Sequence, residues 1–470
     1  MTVFTQPSRG FKSVAVGAFW ALAVAAGTAV FAVATVHTVQ PVRFASIVGV
    51  AAMIVGIVVL LLVPTWSLPA IMLGLYALGV FAVVTLPASL PLPPTTLILM
   101  LWVIRRLLDS LRQHANGAAS VPRIGNSHVG LWSALALGVW VIFTLFAGAL
   151  GSQGQGWAIS FFTAVLVPVC VGFSEREARA LKSTWIALGG IIGFYTVIES
   201  ALRQNFLYWA LGMPSSQHWS MYRAEGPFGH PLLLSTFLVV AFGLGVGMWL
   251  QYGRKSALVG GALSLTGVVM SLSRGAILAA IVTIFAVYLL AGARSEGRSS
   301  KRLVGLGALA LAGVVTVVFG TSVVDRWTST EAAGSTDARD GGFSVALSAA
   351  EWGHWLGTGP GTSAVAAQQF GFTLPIENSY LQILVSLGIP GLVVFTLLCV
   401  SALSVTIRRI DIAAFGGLVA YLVAIAGYNL IDDRRSAHVL LGCLLIIALN
   451  AEWGPRSRAI AHKEVTYAER

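Results

Sequence analysis

Apolar residues run along this chain in blocks of about 16 to 23, separated by short polar breaks. The blocks fall at roughly 14–36, 44–63, 68–86, 93–108, 129–150, 157–173, 183–199, 231–250, 256–272, 275–293, 303–320, 385–407, 412–430 and 437–452. A helix needs about 20 apolar residues to cross the hydrocarbon core of a bilayer. The pattern therefore predicts an all-α polytopic membrane protein with about 14 transmembrane helices, or 12–14 allowing for the short blocks at 157–173, 256–272 and 437–452. The first block, Val14 to Val36, is too long for a signal-peptide core and lacks a convincing small-residue cleavage site, so a retained first helix is expected.

Two connections are long, 200–230 and 321–380, and connections of that length are usually functional when ordered. Within the second, Phe343, Leu347, Ala350 and Trp355 recur at near-helical spacing, which predicts an amphipathic surface helix over Phe343 to Leu356. No soluble domain of about 100 residues and no internal repeat of the kind transporters carry is visible. The expected organisation is one transmembrane domain, 1–470, with two outer loops.

Composition agrees with the pattern. The chain is 57% hydrophobic and 10% charged, against about 25% charged in soluble domains, and its mean hydropathy is +0.84. Cys170, Cys399 and Cys443 all lie within apolar blocks, which excludes a disulfide framework and a Cys/His metal spacing. The net charge of +11 would suggest nucleic acid in a soluble protein. In a polytopic one the excess of Lys and Arg in cytoplasmic loops accounts for it, and no nucleic acid is expected as partner.

Charge also orients the chain. With the N-terminus in the cytoplasm and loops assigned alternately, 21 of the 29 basic residues fall inside and eight outside. The net charges are then +13 inside and −2 outside. Both termini are expected to be cytoplasmic. All five lysines, Lys12, Lys182, Lys255, Lys301 and Lys463, lie on the inner side. The outer side keeps arginine alone: Arg43, Arg203, Arg223, Arg274, Arg326, Arg339, Arg434 and Arg435. A planar guanidinium grips phosphate or carboxylate with two parallel bonds, which an ammonium cannot do. The alternative is a codon bias toward arginine.

Four motifs lie on the outer side. The first is Arg223-Ala-Glu225-Gly-Pro-Phe-Gly-His230-Pro231, a rigid turn feeding a helix; it is either ordinary punctuation or a support holding Arg223, Glu225 and His230 at the membrane surface. The second is Ser271-Leu-Ser273-Arg274-Gly-Ala276, which puts an arginine between two apolar blocks with almost no loop. Such an arginine either snorkels to headgroups or, beside a helix N-terminus, binds an anion. The third has Asp325-Arg326-Trp327 and Arg339-Asp340, followed by Leu356-Gly-Thr-Gly-Pro-Gly-Thr-Ser363. This glycine run lacks the strand, Lys and helix of a P-loop and reads as a tight turn. The fourth, Glu377-Asn378-Ser-Tyr-Leu-Gln382 with Gly388-Ile-Pro390-Gly391 following, is a polar helix mouth and a break. Glu377 there either complements the helix dipole or acts as a general base.

In this order the four motifs resemble the O-antigen ligase and polymerase family, over about Arg223 to Ile407. The resemblance implies a GT-C-like helical bundle in the plasma (inner) membrane. It implies a glycosyltransferase that moves a glycan from undecaprenyl diphosphate to a glycan or lipid acceptor hydroxyl on the outer face, with no metal, nucleotide sugar or other cofactor. It assigns Arg223, Arg274, Arg326, Arg339 and Asn378 to substrate binding, and a catalytic role to Arg274 in stabilising the leaving diphosphate. Ligases of the family usually carry His before the Asn of the fourth motif, where this chain has Glu377. The base is then Glu377, His230 or His354, and the departure points toward a polymerase rather than a ligase. The competing class is a flippase or transporter, for which ionisable groups in mid-span would be expected. A non-enzymatic scaffold leaves the arginine pattern unexplained.

Overall fold

The computed structural model describes residues 62–77, 94–115, 128–210, 217, 221–292 and 330–450. The expected spans at 14–36 and 303–320, all but the end of 44–63, and Arg326 lie outside them. Secondary structure in the described residues is entirely helical. The helices are α1 (Leu68–Ala77), α2 (Pro94–Ala115), α3 (His128–Ala147), α4 (Gly151–Val171), α5 (Glu175–Leu202), α6 (Phe206–Ala210), α7 (Pro231–Tyr252), α8 (Lys255–Met270), α9 (Arg274–Gly292), α10 (Thr330–Trp352), α11 (Ser363–Gln368), α12 (Ser379–Arg409), α13 (Ile412–Ala424), α14 (Leu430–Asp433) and α15 (His438–Leu449).

Six of these, α3, α4, α5, α7, α9 and α12, are long and apolar enough to cross a membrane, and α1, α8, α13 and α15 are shorter apolar helices. The block expected at 93–108 differs. Helix α2 runs on to Ala115 through Arg105, Arg106, Asp109 and Arg112, so it is an amphipathic helix rather than a wholly apolar one.

Helix α7 is the buried hub. It packs against α5, α8, α9 and α13. Small residues make the close approach possible, as is usual where helices cannot rely on water to drive them together. A Cβ on Gly243 of α7 would stand 2.4 Å from the carbonyl oxygen of Gly416 on α13. One on Gly193 of α5 would stand 2.0 Å from that of Leu263 on α8.

The helix ends sort into two groups. At one, Ser174 caps α5 in a reciprocal capping box with Glu177. Glu177 also accepts from Trp102 Nε1 at 2.7 Å and pairs with Arg106 at 2.9 Å, tying α2 to α5. Nearby, Lys182 pairs with Asp411 at 2.7 Å, both buried, and Asp411 caps α13 through Ala414 N at 3.0 Å. This end gathers Arg105, Arg106, Lys182, Arg408 and Arg409. The opposite end gathers the end of α3, the start of α4, residues 221–230, the α8–α9 junction, the 353–378 segment and the α13–α15 connection.

Helix α12 has 31 residues, about 46 Å at 1.5 Å each, more than the hydrocarbon core requires. It is broken at Gly388, whose φ of 70° and ψ of −174° are not helical. The break follows from Pro390, which has no N–H to give to the carbonyl of Ser386. Loop residues take over the orphaned groups. Gly359 N donates to Ser386 O at 3.0 Å, Thr358 N to Val385 O at 2.9 Å, and Ile389 N donates to Trp355 O at 2.9 Å. The break lets the first turns of α12 meet the end of α13, where Tyr380 Oη donates to Leu422 O at 2.8 Å and Ser379 Oγ to Tyr428 O at 2.7 Å.

The amphipathic helix expected over Phe343 to Leu356 is α10, and it spans Thr330–Trp352 instead. Phe343, Leu347 and Trp355 are exposed; the buried face is Gly342, Ala346, Ala349 and Ala350. Small side chains let α10 lie against Ala366, Ala367, Ile376 and Val385. Its end is set by His354 and Trp355, which adopt positive φ of 53° and 60°.

Candidate active site

Arg223 is buried, and its placement comes from both sides. Its Nε donates to Ser271 O at 3.1 Å, and Ala224 N donates to Met270 O at 3.2 Å, so the loop lies along the C-terminal end of α8. On the other side, Gln217 bonds the Arg223 backbone at N (3.2 Å) and O (2.6 Å) and reaches Glu225 Oε1 at 2.6 Å. The bonds that hold Arg223 therefore come from α8 and Gln217 rather than from the turn that follows, and Glu225 is fully buried rather than presented at a surface.

Arg274 is the first residue of α9 and is half-buried. Ser271 O, the acceptor of Arg223, lies three residues before it, so Arg223 reaches the α8–α9 junction at which Arg274 begins α9. Leu272 turns the chain there with φ of 51°. Ser273 Oγ accepts from Ala276 N at 3.4 Å, so one helix-start N–H expected to face an anion is already engaged.

His230 caps α7, its Nδ1 accepting from Leu232 N at 3.3 Å, and its ring stacks on Tyr428 with centroids 5.7 Å apart. Tyr428 O in turn accepts from Ser379, next to Asn378. Asn378 caps α12, accepting from Tyr380 N at 2.9 Å and Leu381 N at 3.2 Å. Glu377 pairs with Arg339, whose Nε and Nη2 both lie 3.1 Å from Oε2. The first, second and fourth motifs therefore converge on residues 427–432: Gly275 and Gly427 face each other so closely that a Cβ on either would touch the Cα of the other. Of the three candidate bases, His230 and Glu377 belong to this cluster. His354 is exposed beside the α12 break, ten residues along from Asn378, or about 15 Å of helix.

The glycine run does not cradle a phosphate at Thr358 and Gly359, because their N–H groups bond the broken α12. At the end of the same loop Ser363 N donates to Asp432 Oδ2 at 3.3 Å. Asp432 also accepts from Ser386 Oγ, and its N donates to Gln382 Oε1 at 3.4 Å. Asp432 therefore fastens the glycine loop, the first half of α12 and the α13–α15 connection together.

Electrostatics link the same parts. The Tyr208 hydroxyl, so close to Gly229 that a Cβ there would overlap it, is pushed up to about 12 by burial and by Glu225, with Arg434 opposing. The Tyr222 hydroxyl is pushed up by burial first and then by Glu199. Arg434 thus acts on the neighbourhood of His230, and Arg435 lies against Gly156 at the start of α4.

Sequence reasoning missed Glu199, Tyr428 and Asp432, and gave Gln382 of the fourth motif no role. Glu199 carried a signal, since an acid in the last turn of a helix opposes the helix dipole. Asp432 and Tyr428 carried none, because they fall where one apolar block fades into the next.

No curated protein matches the chain. Residues 259–396 match the family model described as O-Antigen ligase, a stretch that holds the α8–α9 junction, the glycine loop, Glu377, Asn378 and the α12 break. With its apolar helices, the chain is a multi-pass membrane protein, and its residues 259–396 are similar to the O-antigen ligase family.

Proposed function

We propose that the protein is a glycosyltransferase with a GT-C-like fold in the plasma (inner) membrane, acting as a polysaccharide polymerase. It takes an oligosaccharide from undecaprenyl diphosphate and joins it to a glycan hydroxyl on the outer face. The observation that carries this reading is the anchoring of Arg223 at the α8–α9 junction where Arg274 starts α9, a junction that packs beside the cluster of His230, Tyr428, Ser379 and Asn378. Two guanidinium groups suit a diphosphate, and charge placed where the leaving group develops lowers the barrier.

In the reaction the acceptor oxygen forms a bond to the anomeric carbon as the bond from that carbon to the diphosphate oxygen breaks. Direct displacement inverts the centre. The acceptor proton goes to a base, for which Glu377 and His230 are the candidates inside the cluster. Arg339 and Asn378 then help hold Glu377 and the start of α12 in place, and Arg326 contributes to donor binding from the preceding segment. The reading assigns each of these roles to the protein's own side chains.

The test is purified protein in proteoliposomes with an undecaprenyl-diphosphate oligosaccharide. A polymerase lengthens the lipid-linked glycan with donor alone; a ligase acts only when a second, lipid acceptor is added. Donor crossing the bilayer without any new glycosidic bond would make the protein a flippase and end the proposal. Reporter fusions at Thr330 and Arg298 should read external and cytoplasmic respectively, and a cytoplasmic reading at Thr330 would put the cluster on the wrong face.

A further inference from the structure

Glu199, on the last turn of α5, is fully buried, and the three hydrogen bonds its carboxylate accepts all come from one short segment. Oε1 accepts from Glu225 N at 2.8 Å and from the Tyr222 hydroxyl at 3.1 Å. Oε2 accepts from Gly226 N at 3.0 Å. These donors bracket Arg223. Residues 223 and 224 bond the α8 end, while 222, 225 and 226 bond Glu199, so the segment is clamped between α5 and α8 with Arg223 in the middle.

The choice of glutamate has a chemical reason. Three donors need three acceptor positions from one side chain, and an ionised carboxylate has two oxygens with about four lone-pair sites and no donor of its own. Glutamine would offer a single oxygen and turn an NH2 toward the Gly226 N–H. Aspartate is one methylene shorter and falls short of the loop. Burying a carboxyl group is costly unless it is hydrogen-bonded, so the three donors gathered on this one are informative.

We infer that Glu199 is a positioning residue for glycan transfer: it holds Tyr222, Glu225 and Gly226 so that Arg223 stays at Ser271, ready for the donor diphosphate. This rests on the function proposed above. Glu199 itself does not touch the substrate; its effect passes through Arg223. Removing it therefore lowers turnover through a displaced guanidinium, and removing it in a protein that already lacks Arg223 costs little more.

The experiment uses the full chain in lipid nanodiscs with Glu199→Gln, Tyr222→Phe, Arg223→Ala and the Glu199→Gln/Arg223→Ala pair. Hydrogen–deuterium exchange should rise over residues 221–228 in Glu199→Gln, with α7 and α8 unchanged. The kcat for transfer should fall roughly tenfold or more, as expected for losing a bond to a charged group in a buried site. Tyr222→Phe, which deletes one of three bonds and folds more safely, should give a smaller effect of the same kind. The paired variant should match Arg223→Ala within about twofold, the mark of two residues acting as one unit. Losses that multiply in the pair, or unchanged exchange over 221–228, would overturn the inference. If the wild-type protein neither transfers glycan nor binds undecaprenyl diphosphate, the proposed function fails. The exchange measurement then still decides whether Glu199 holds the turn of Arg223.

Discussion

Gly388→Ala is the most exacting test of how the two halves of the site are joined. A Cβ at Gly388 would stand 2.3 Å from Trp355 O and 2.4 Å from the carbonyl carbon of Leu356. Both are backbone atoms, so no side chain can swing aside, and the loop must leave the break. Leaving it forfeits three backbone bonds, Thr358 N to Val385 O, Gly359 N to Ser386 O and Ile389 N to Trp355 O, worth about 1 kcal/mol net each. Alanine at φ 70° and ψ −174°, a region that is essentially glycine's alone, adds about 1–3 kcal/mol. The expected loss is about 4–6 kcal/mol, shared between backbone strain and loop release. Gly371→Ala is the control: its φ is also positive, 74°, but nothing lies within 4 Å of its added Cβ, so only the strain of about 1 kcal/mol applies. Thermal unfolding followed by tryptophan fluorescence at one scan rate, with limited proteolysis between residues 353 and 362, compares the two. Gly388→Ala should unfold well below Gly371→Ala and be cut in the loop while the helices stay intact. Equal stability and equal protease resistance would refute the account of the break.

Three further outcomes follow from the same geometry. Lys182→Met strands the buried Asp411 and should destabilise by about 3–5 kcal/mol; Lys182→Met with Asp411→Asn should recover much of this in the same unfolding assay, because neither charge is left alone. Arg274→Lys should lose transfer nearly as fully as Arg274→Ala, roughly a hundredfold in rate, and near-normal polymer length and yield in the Lys variant would remove the bidentate argument. Glu377→Gln should abolish transfer while donor binding and protein level persist, with Glu377→His retaining some activity; full activity in Glu377→Gln would move the base to His230.

Much of the architecture was legible from the chain alone. The spans at 129–150, 183–199, 231–250 and 275–293 correspond to α3, α5, α7 and α9, because the length of an apolar run is a one-dimensional property that a bilayer reads directly. The break in α12 was legible too, since Pro390 withholds an N–H whatever surrounds it. The α10 face was not: the sequence offered Phe343 and Leu347, but the fold buried the small residues Ala346 and Ala349 to bring the helix close.

What the sequence by itself determined was the helical class and the position of most apolar helices among the described residues. Only the tertiary structure decided which polar groups meet. The partners of Arg223 lie at 217 and 271, those of Glu199 at 222, 225 and 226, and those of Asp432 at 363, 382 and 386. A hydrogen bond acts over about 3 Å, whereas these partners are separated by up to 69 residues of chain. Their meeting depends on how the helices pack, and small residues such as Gly243 and Gly416 set that packing.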